Sequence, residues 1–224
     1  MNIRSRAGLT LVTGACLALV ASPAAAHPDD DGHHGDRGYD VVEVGEWTPT
    51  PAEYYTAFEF KACGDTITIE GGDVRKAEER VSTLANGGTV IEFRGEATVD
   101  LTRKSDGATI DELDVSGPGT TLISADGTKV RDTLFGPSIL FPTTANEVDQ
   151  FVKVFGTDLA YFADPEQSVT LELTVNPETG EVVDVRSADI DAHIVDLCGW
   201  FDDHHHDGDR HHDGDRKHDH HHGD

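Results

Sequence analysis

The sequence predicts a mainly β protein: an antiparallel meander that closes into a barrel or a sandwich, with one short helix and disordered N- and C-terminal tails. Short segments alternate apolar and polar residues, turn signals containing glycine separate them, and nearly all aliphatic and aromatic residues fall between residues 39 and 200. Alternation of this kind places one strand face in the core and the other in solvent. Because hairpins dominate and no long crossover is apparent, we expect a barrel rather than a sandwich.

The predicted strands follow one another along the chain, and each is bounded by a turn signal. The third of them also suits a helix, but Asn86-Gly87-Gly88 after it favours a hairpin. Gly95 predicts a bulge or kink in the long fourth segment. Asp106-Gly107, Asp126-Gly127 and residues 176–180 are further turn signals. The strands are predicted at residues 57–62, 65–70, 74–84, 89–103, 169–175 and 181–186.

One helix is predicted from about residue 144 to residue 155. Its apolar residues recur at helical spacing and would share one face. We expect that face to pack against the strands, because a short helix gains most of its stability from tertiary contacts. The residues of this face are Val148, Phe151, Val152 and Phe155.

The first 26 residues have the order of features found in a Sec-type signal peptide. Arg4 and Arg6 precede an apolar run over residues 9–21, and residues 24–26 are three alanines suited to cleavage. The run is too short to span a bilayer, so no transmembrane helix is expected. Cys16 could instead mark a lipoprotein cleavage box, although Thr13 stands where such boxes usually have leucine. We expect a protein that is secreted, extracellular or held in the cell envelope.

Composition divides the chain into four segments. Residues 1–26 form the signal peptide, and residues 27–46 form an acidic, histidine-containing tail. Residues 47–200 form a single β-rich domain, and residues 201–224 form a low-complexity tail rich in His and Asp. Neither tail has enough apolar surface to offset the entropy lost on ordering, so both are expected to be disordered.

The charge of the chain limits the classes of partner. Its 224 residues include 43 acidic and 17 basic ones, for a formal net charge of −26 at pH 7. Nucleic acid is not an expected partner, because phosphate binding requires a basic surface. Anionic lipid is disfavoured for the same reason. The charge favours solubility and attracts cations, while a protein partner cannot be named from it.

Cys63 and Cys198 are the two cysteines left once the signal peptide is removed. Two cysteines in an oxidising compartment most often pair. Their disulfide would close a loop of well over a hundred residues, for which the chain-entropy argument gives roughly 4–5 kcal/mol of stabilisation.

Histidine is concentrated in the tails, which hold twelve of the thirteen copies. The C-terminal tail repeats the hexapeptide HHDGDR at residues 205–210 and 211–216. Imidazole suits Zn, Ni and Cu ions, and aspartate adds oxygen donors and negative charge. Metal ions are therefore the predicted partners, and no organic cofactor is expected. The predicted ligands are His204, His205, His206, Asp207, His211, His212, Asp213, His218, His220, His221 and His222. The alternative is a low-complexity tail that binds metal incidentally.

A weaker candidate site lies in the domain itself. Asp189, Asp191 and His193 alternate and would share one strand face, where they could supply a base with carboxylates or a metal site. The same pattern also describes a solvated strand face. No HExxH motif, P-loop or dinucleotide fingerprint is present. No catalytic residue is predicted, and an enzyme is not the expected function.

Several stretches resemble a group of small uncharacterised secreted bacterial proteins. They are residues 58–64 (FEFKACG), 97–103 (ATVDLTR), 106–109 (DGAT) and 115–119 (VSGPG). The resemblance covers most of residues 50–200 and implies export, a β-rich domain and a paired cysteine, without an activity or site residues.

Two functions follow as hypotheses. The first is a secreted acidic protein that binds divalent transition metals through its tails, for buffering or capture. The alternative is a noncatalytic extracellular or envelope binding module, with a small apolar ligand or a protein partner and incidental tails.

Overall fold

The structure is a computed structural model that describes residues 39–144 and 147–203. Within these ranges the chain is mainly β, with antiparallel strands, two short helices and one 3-10 turn at Ala52–Tyr55. The strands are β1 (Val41–Glu43), β2 (Thr48–Pro49), β3 (Phe58–Ala62), β4 (Asp65–Arg75), β5 (Glu78–Leu84), β6 (Thr89–Arg94), β7 (Ala97–Arg103), β8 (Thr109–Asp114), β9 (Gly119–Ile123), β10 (Lys129–Phe135), β11 (Ser138–Leu140), β12 (Ala160–Phe162), β13 (Ser168–Val175), β14 (Val182–Asp191) and β15 (Val195–Asp196). The helices are α1 (Val148–Phe155) and α2 (Cys198–Asp203).

The strands form three sheets. The largest has the order β1-β5-β6-β9-β10-β13-β14, and β2 also pairs with β5. A second sheet has the order β3-β4-β7-β8, and a third has the order β11-β12-β15. Each path has a free strand at both ends within the described chain, so the barrel that the sequence favoured is not found.

The small sheet contributes to two hydrophobic cores. Ile139 and Tyr161 belong to the core of the four-stranded sheet, which also holds Phe201 from α2. Leu140 and Phe162 belong to the core of the eight-stranded sheet, together with Phe151 from α1. Every residue of β11 and β12 is buried. These two strands therefore lie between the larger sheets, and their short apolar runs reflect burial on both faces.

The hairpins form at the predicted turn signals. Residues 85–88 connect β5 to β6, residues 124–128 connect β9 to β10, and residues 176–181 connect β13 to β14. Gly87 and Gly127 take φ values of 82° and 68° in these turns, a conformation that glycine adopts without steric cost.

The segment predicted as one strand at residues 89–103 is two strands in different sheets. β6 belongs to the eight-stranded sheet and β7 to the four-stranded sheet. Gly95 lies between them with a φ of 101°, and a Cβ at this position would be 2.5 Å from the Lys76 carbonyl oxygen. Glycine thus permits a crossing between sheets, which alternation along the sequence cannot distinguish from a bulge.

The predicted helix is shorter than expected, and a second helix is present. Helix α1 begins at Val148 and ends before Gly156, whose φ is 79°. Phe151 is buried, as predicted for its apolar face, whereas Val152 is 44% exposed. Helix α2 was not predicted, because its six residues are too few to show a helical period.

Ordered structure extends past both predicted domain boundaries. Strand β1 pairs with β5 inside the segment predicted as the N-terminal tail. At the other end, Phe201 is 0% exposed within α2. The tertiary partners of these residues, rather than their local composition, place them in the domain.

Candidate functional site

The His/Asp-rich tail follows directly from a helix that is tied to the domain. Cys198, the first residue of α2, forms a disulfide with Cys63, as predicted from the cysteine count. Cys63 and Gly64 form the tight turn between β3 and β4, with φ values of 56° and 69°. The disulfide therefore fastens the last described helix to a hairpin of the four-stranded sheet.

Arg103 fastens the end of the same helix. Its Nη2 lies 2.7 Å from Asp106 Oδ2, and its Nη1 lies 2.8 Å from Asp202 Oδ1. The hydrogen bonds that the guanidinium donates to Asp106, and then to Asp202, raise its pKa above the usual value. The guanidinium carbon also lies 5.4 Å from the centre of the Phe201 ring. Together these contacts hold the end of α2 against β7 of the four-stranded sheet.

The predicted tail ligands, from His204 to His222, lie outside the described residues. The domain itself contains one compact set of three potential ligand atoms in its described part. Cys63, Asp158 and Cys198 place these atoms within 4.8 Å of one another. Because the two sulfurs are bonded to each other, neither offers a thiolate. Asp158 Oδ1 instead accepts a hydrogen bond of 3.0 Å from the Cys63 backbone N–H, so this set supports the hairpin turn.

The weaker candidate residues lie on an exposed part of the fold. Asp189 and Asp191 belong to β14, which is an edge strand, and they are paired in register with Thr170 and Ser168 of β13. His193 follows the strand, is exposed, and donates its backbone N–H to Gln167 Oε1 at 3.0 Å. The possible ligand atoms of these three residues do not lie close enough together to hold one metal ion. Within the described chain, only those of Cys63, Asp158 and Cys198 lie within 4.8 Å of one another.

An apolar cleft of about 100 Å³ lies where the three sheets meet. One wall is a row across three strands of the eight-stranded sheet, in which Phe93 pairs with Gly119 and Gly119 pairs with Leu134. The central glycine has no side chain, so backbone forms this wall between the two larger side chains. The facing wall includes Ile69 of β4, Val99 of β7 and Ile139 of β11.

The 3-10 turn lies over this cleft. The Tyr54 ring centre is 5.9 Å from that of Phe93. The Tyr55 hydroxyl lies 2.8 Å from Thr50 Oγ1, which also donates to the carbonyl of Ala77. Gly71 lets Tyr55 approach β4, since a Cβ on this glycine would lie 2.7 Å from that of Tyr55. The lining of the cleft thus includes two hydroxyl groups beside aromatic rings.

Arg94 is the charged residue that lines the cleft. Its Nη2 lies 2.8 Å from Glu78 Oε2 on the neighbouring strand. Its guanidinium carbon lies 4.0 Å from the centre of the Trp47 ring. The positive charge is therefore balanced by a carboxylate and covered by an aromatic face, which makes Arg94 a poor partner for a second anion.

Asp132 is a buried carboxyl group that the sequence analysis missed. It is 1% exposed on β10, and its Oδ1 has no hydrogen-bond partner among the described residues. Burial raises its pKa to about 7, while a hydrogen bond with Thr121 acts in the opposite direction. The available signal was its place in Val130-Arg131-Asp132-Thr133-Leu134, where alternation puts Asp132 on the apolar face with Val130 and Leu134.

Comparisons with known proteins leave the family of this chain open. No protein-family model matches the sequence, and no curated protein or solved structure matches it. The resemblance to small secreted bacterial proteins therefore stays a prediction. Among the described residues, no helix combines the length and apolar character that a bilayer span requires.

Proposed function

We propose that this protein is exported and binds divalent transition metal ions through its His/Asp-rich tails, for buffering or capture. The observation that carries the proposal is the tandem HHDGDR repeat at residues 205–216. We interpret the stacked sheets as an open β-sandwich that serves as the scaffold of the tail. Export is proposed from the signal-like first 26 residues, and an oxidising compartment would keep Cys63 and Cys198 paired.

The chemistry of the tail supports this function. Residues 204–224 contain nine histidines and six aspartates. Several donors on one short chain raise the local ligand concentration, so each donor bound makes binding of the next easier. Imidazole nitrogen favours Zn, Ni and Cu over Mg and Ca. Protonation of the histidines below about pH 6.5 would release the metal.

The place of attachment adds a second favourable factor. Helix α2 packs near β8, whose Asp111, Glu112 and Asp114 line a shallow groove together with Trp200. The formal charge of the whole chain is −26. A surface of this sign raises the local concentration of cations, and a tail that begins beside it would encounter metal ions more often than a free peptide.

Isothermal titration with Zn²⁺ and Cu²⁺ tests the proposal on the purified protein and on a variant that ends at Asp203. We expect micromolar or tighter binding by the full protein at pH 7.5, and at least a tenfold loss on truncation. Ending the variant at Asp203 retains Phe201 and the Arg103–Asp202 ion pair, so the domain should stay folded.

Two controls complete the experiment. His193→Ala removes the histidine of the described domain and should leave the affinity unchanged. A titration at pH 5.5 should show binding at least tenfold weaker than at pH 7.5, because the imidazoles are protonated. Tight binding by the truncated variant, or no binding better than millimolar by the full protein, would exclude the proposal.

A further inference from the structure

We propose that the cleft between the sheets is a binding site for a small uncharged molecule, built on a single ring and carrying at most one hydroxyl group. This site is separate from the metal-binding tails, and neither proposal depends on the other. Its evidence is the row formed by Phe93, Gly119 and Leu134, together with the Thr50 and Tyr55 hydroxyls that line the cleft.

The size of the cleft limits the ligand. Its volume is about 100 Å³. An apolar protein cavity of roughly 150 Å³ stays dry and accepts benzene, so a slightly smaller cleft that is partly open suits one six-membered ring. A long acyl chain or a fused polycyclic molecule would not fit without rearrangement of the walls.

The walls determine the polarity of the ligand. Ile69, Val99, Leu134 and Ile139 offer methyl groups, and Phe93 offers an aromatic ring. Ligand pockets commonly combine such walls with a few polar groups that fix orientation. Here the Thr50 hydroxyl donates to the Ala77 carbonyl and therefore accepts from the Tyr55 hydroxyl, 2.8 Å away, so the Tyr55 oxygen can accept a hydrogen bond from one ligand hydroxyl.

The charges disfavour an acidic ligand. Arg94 is already paired with Glu78 and stacked on Trp47. The whole chain carries a formal charge of −26, which repels anions. A neutral phenol or hydrocarbon therefore fits better than a benzoate of similar size.

Gly119 offers a direct test, because it lies in the wall of the cleft and has no side chain. A Cβ at this position would lie 3.1 Å from the Leu134 Cδ2 atom, a flexible group that can adjust slightly. Gly119→Val would add branched methyl groups to this wall and displace the Leu134 side chain, which narrows the cleft. Gly199→Ala is the matched control, since a Cβ on Gly199 would meet no atom of the described chain within 4 Å.

The experiment measures thermal unfolding of the purified protein with toluene, p-cresol and benzoate, together with the NMR shifts of methyl groups. Toluene and p-cresol at about ten times their dissociation constants should raise the wild-type Tm by about 3 °C. The Leu134, Val99 and Ile139 methyl signals should shift, while benzoate should have no effect. Gly119→Val should bind both neutral probes at least tenfold more weakly than the wild type, and Gly199→Ala should bind them with the wild-type affinity.

Two outcomes would overturn the proposal. One is a wild-type protein whose cleft methyl signals do not respond to either neutral probe. The other is a folded Gly119→Val variant that binds as tightly as the wild type. If this variant does not fold, Gly119→Ala gives the same comparison with a smaller change. The site is supported if Gly119→Ala loses more affinity for the neutral probes than Gly199→Ala does, even where that loss is tenfold or smaller. Equal affinity in the two alanine variants excludes it.

Discussion

Asp132 lies directly opposite Thr121 on the neighbouring strand, and both residues are 1% exposed on the apolar face of the eight-stranded sheet. Leu171 lies opposite Asp132 on the other side. The pKa of the carboxyl group is set by burial, which raises it to about 7, and by the weaker opposing effect of Thr121. The domain therefore has to keep this group protonated, or bear a charge in its core.

Stability should accordingly fall as pH rises. The folded-state pKa of about 7 lies above the 3.8 that is usual for an exposed aspartate, so the unfolded chain loses this proton at lower pH than the folded protein. The protonated group contributes fully to the free energy of unfolding below about pH 4, and this contribution is lost as pH rises through 7. With about 1.4 kcal/mol per pKa unit, the loss is roughly 4 kcal/mol.

Asp132→Asn should remove this dependence. We expect the variant to be more stable than the wild type at pH 8 and to lose that advantage near pH 4, as measured by urea unfolding across this range. Asp111→Asn, on the exposed edge strand β8, is the control for a general change in charge. If the difference in free energy of unfolding between the wild type and Asp132→Asn stays constant from pH 4 to pH 8, this account is wrong.

Loss of the disulfide should destabilise the domain strongly. Cys63 and Cys198 are 135 residues apart in sequence, so the bond restricts a large loop of the unfolded chain. Replacing both cysteines with serine should lower the free energy of unfolding by about 4 kcal/mol, as measured by chemical denaturation. Asp158→Asn, which keeps the disulfide, should cost much less. Equal losses in the two variants would show that the local polar contacts dominate.

Phe201 should define the C-terminal end of the domain. Its ring is fully buried in the core of the four-stranded sheet, and removal of a buried phenylalanine side chain costs about 3–5 kcal/mol. Phe201→Ala should therefore lower the Tm by roughly 10 °C, as measured by calorimetry. A chain that ends at Asp203 should melt like the full protein, whereas one that ends at Trp200 should melt like Phe201→Ala.

Glu147 should stabilise the start of helix α1. It is 2% exposed, and its carboxylate accepts hydrogen bonds from the Thr143 backbone N–H at 2.8 Å and from the Thr144 hydroxyl at 2.9 Å. Glu147→Ala would leave the Thr143 N–H without this acceptor, at a cost of about 3 kcal/mol. Urea unfolding measures the loss, and Asp149→Ala on the exposed side of the helix is the control. A similar effect in both variants would indicate a loss of helix charge rather than of these bonds.

Much of the local structure could be predicted because it depends on short-range patterns. Alternation identified the segments that contain β3 to β7, β13 and β14, whereas β1, β2, β8 to β12 and β15 were not predicted. Asn86-Gly87-Gly88 and Asp126-Gly127 identified hairpins, since glycine adopts positive φ at little cost. The Cys63–Cys198 pair followed from a count of cysteines. The tail repeat is also read from the sequence alone, and its proposed metal chemistry depends on residue type rather than on fold.

The cleft and the buried carboxyl group depend on contacts between distant segments. Nothing in the sequence around Gly119 distinguishes it from the other glycines. Only the pairing of β6, β9 and β10 places it between Phe93 and Leu134. Asp132 could have been suspected from alternation, but its raised pKa requires the apolar surroundings that other strands provide.

The sequence by itself determined a mainly β chain with one disulfide, predicted hairpins and an acidic, histidine-rich composition, because propensity, turn chemistry and charge are properties of neighbouring residues. The tertiary structure decided that the sheets of the described chain are open rather than closed into a barrel, that the chain changes sheet at Gly95, and that Phe201 belongs to the core. The physical reason is that burial depends on which distant strands meet, and similar alternating patterns can pair in several sheet arrangements.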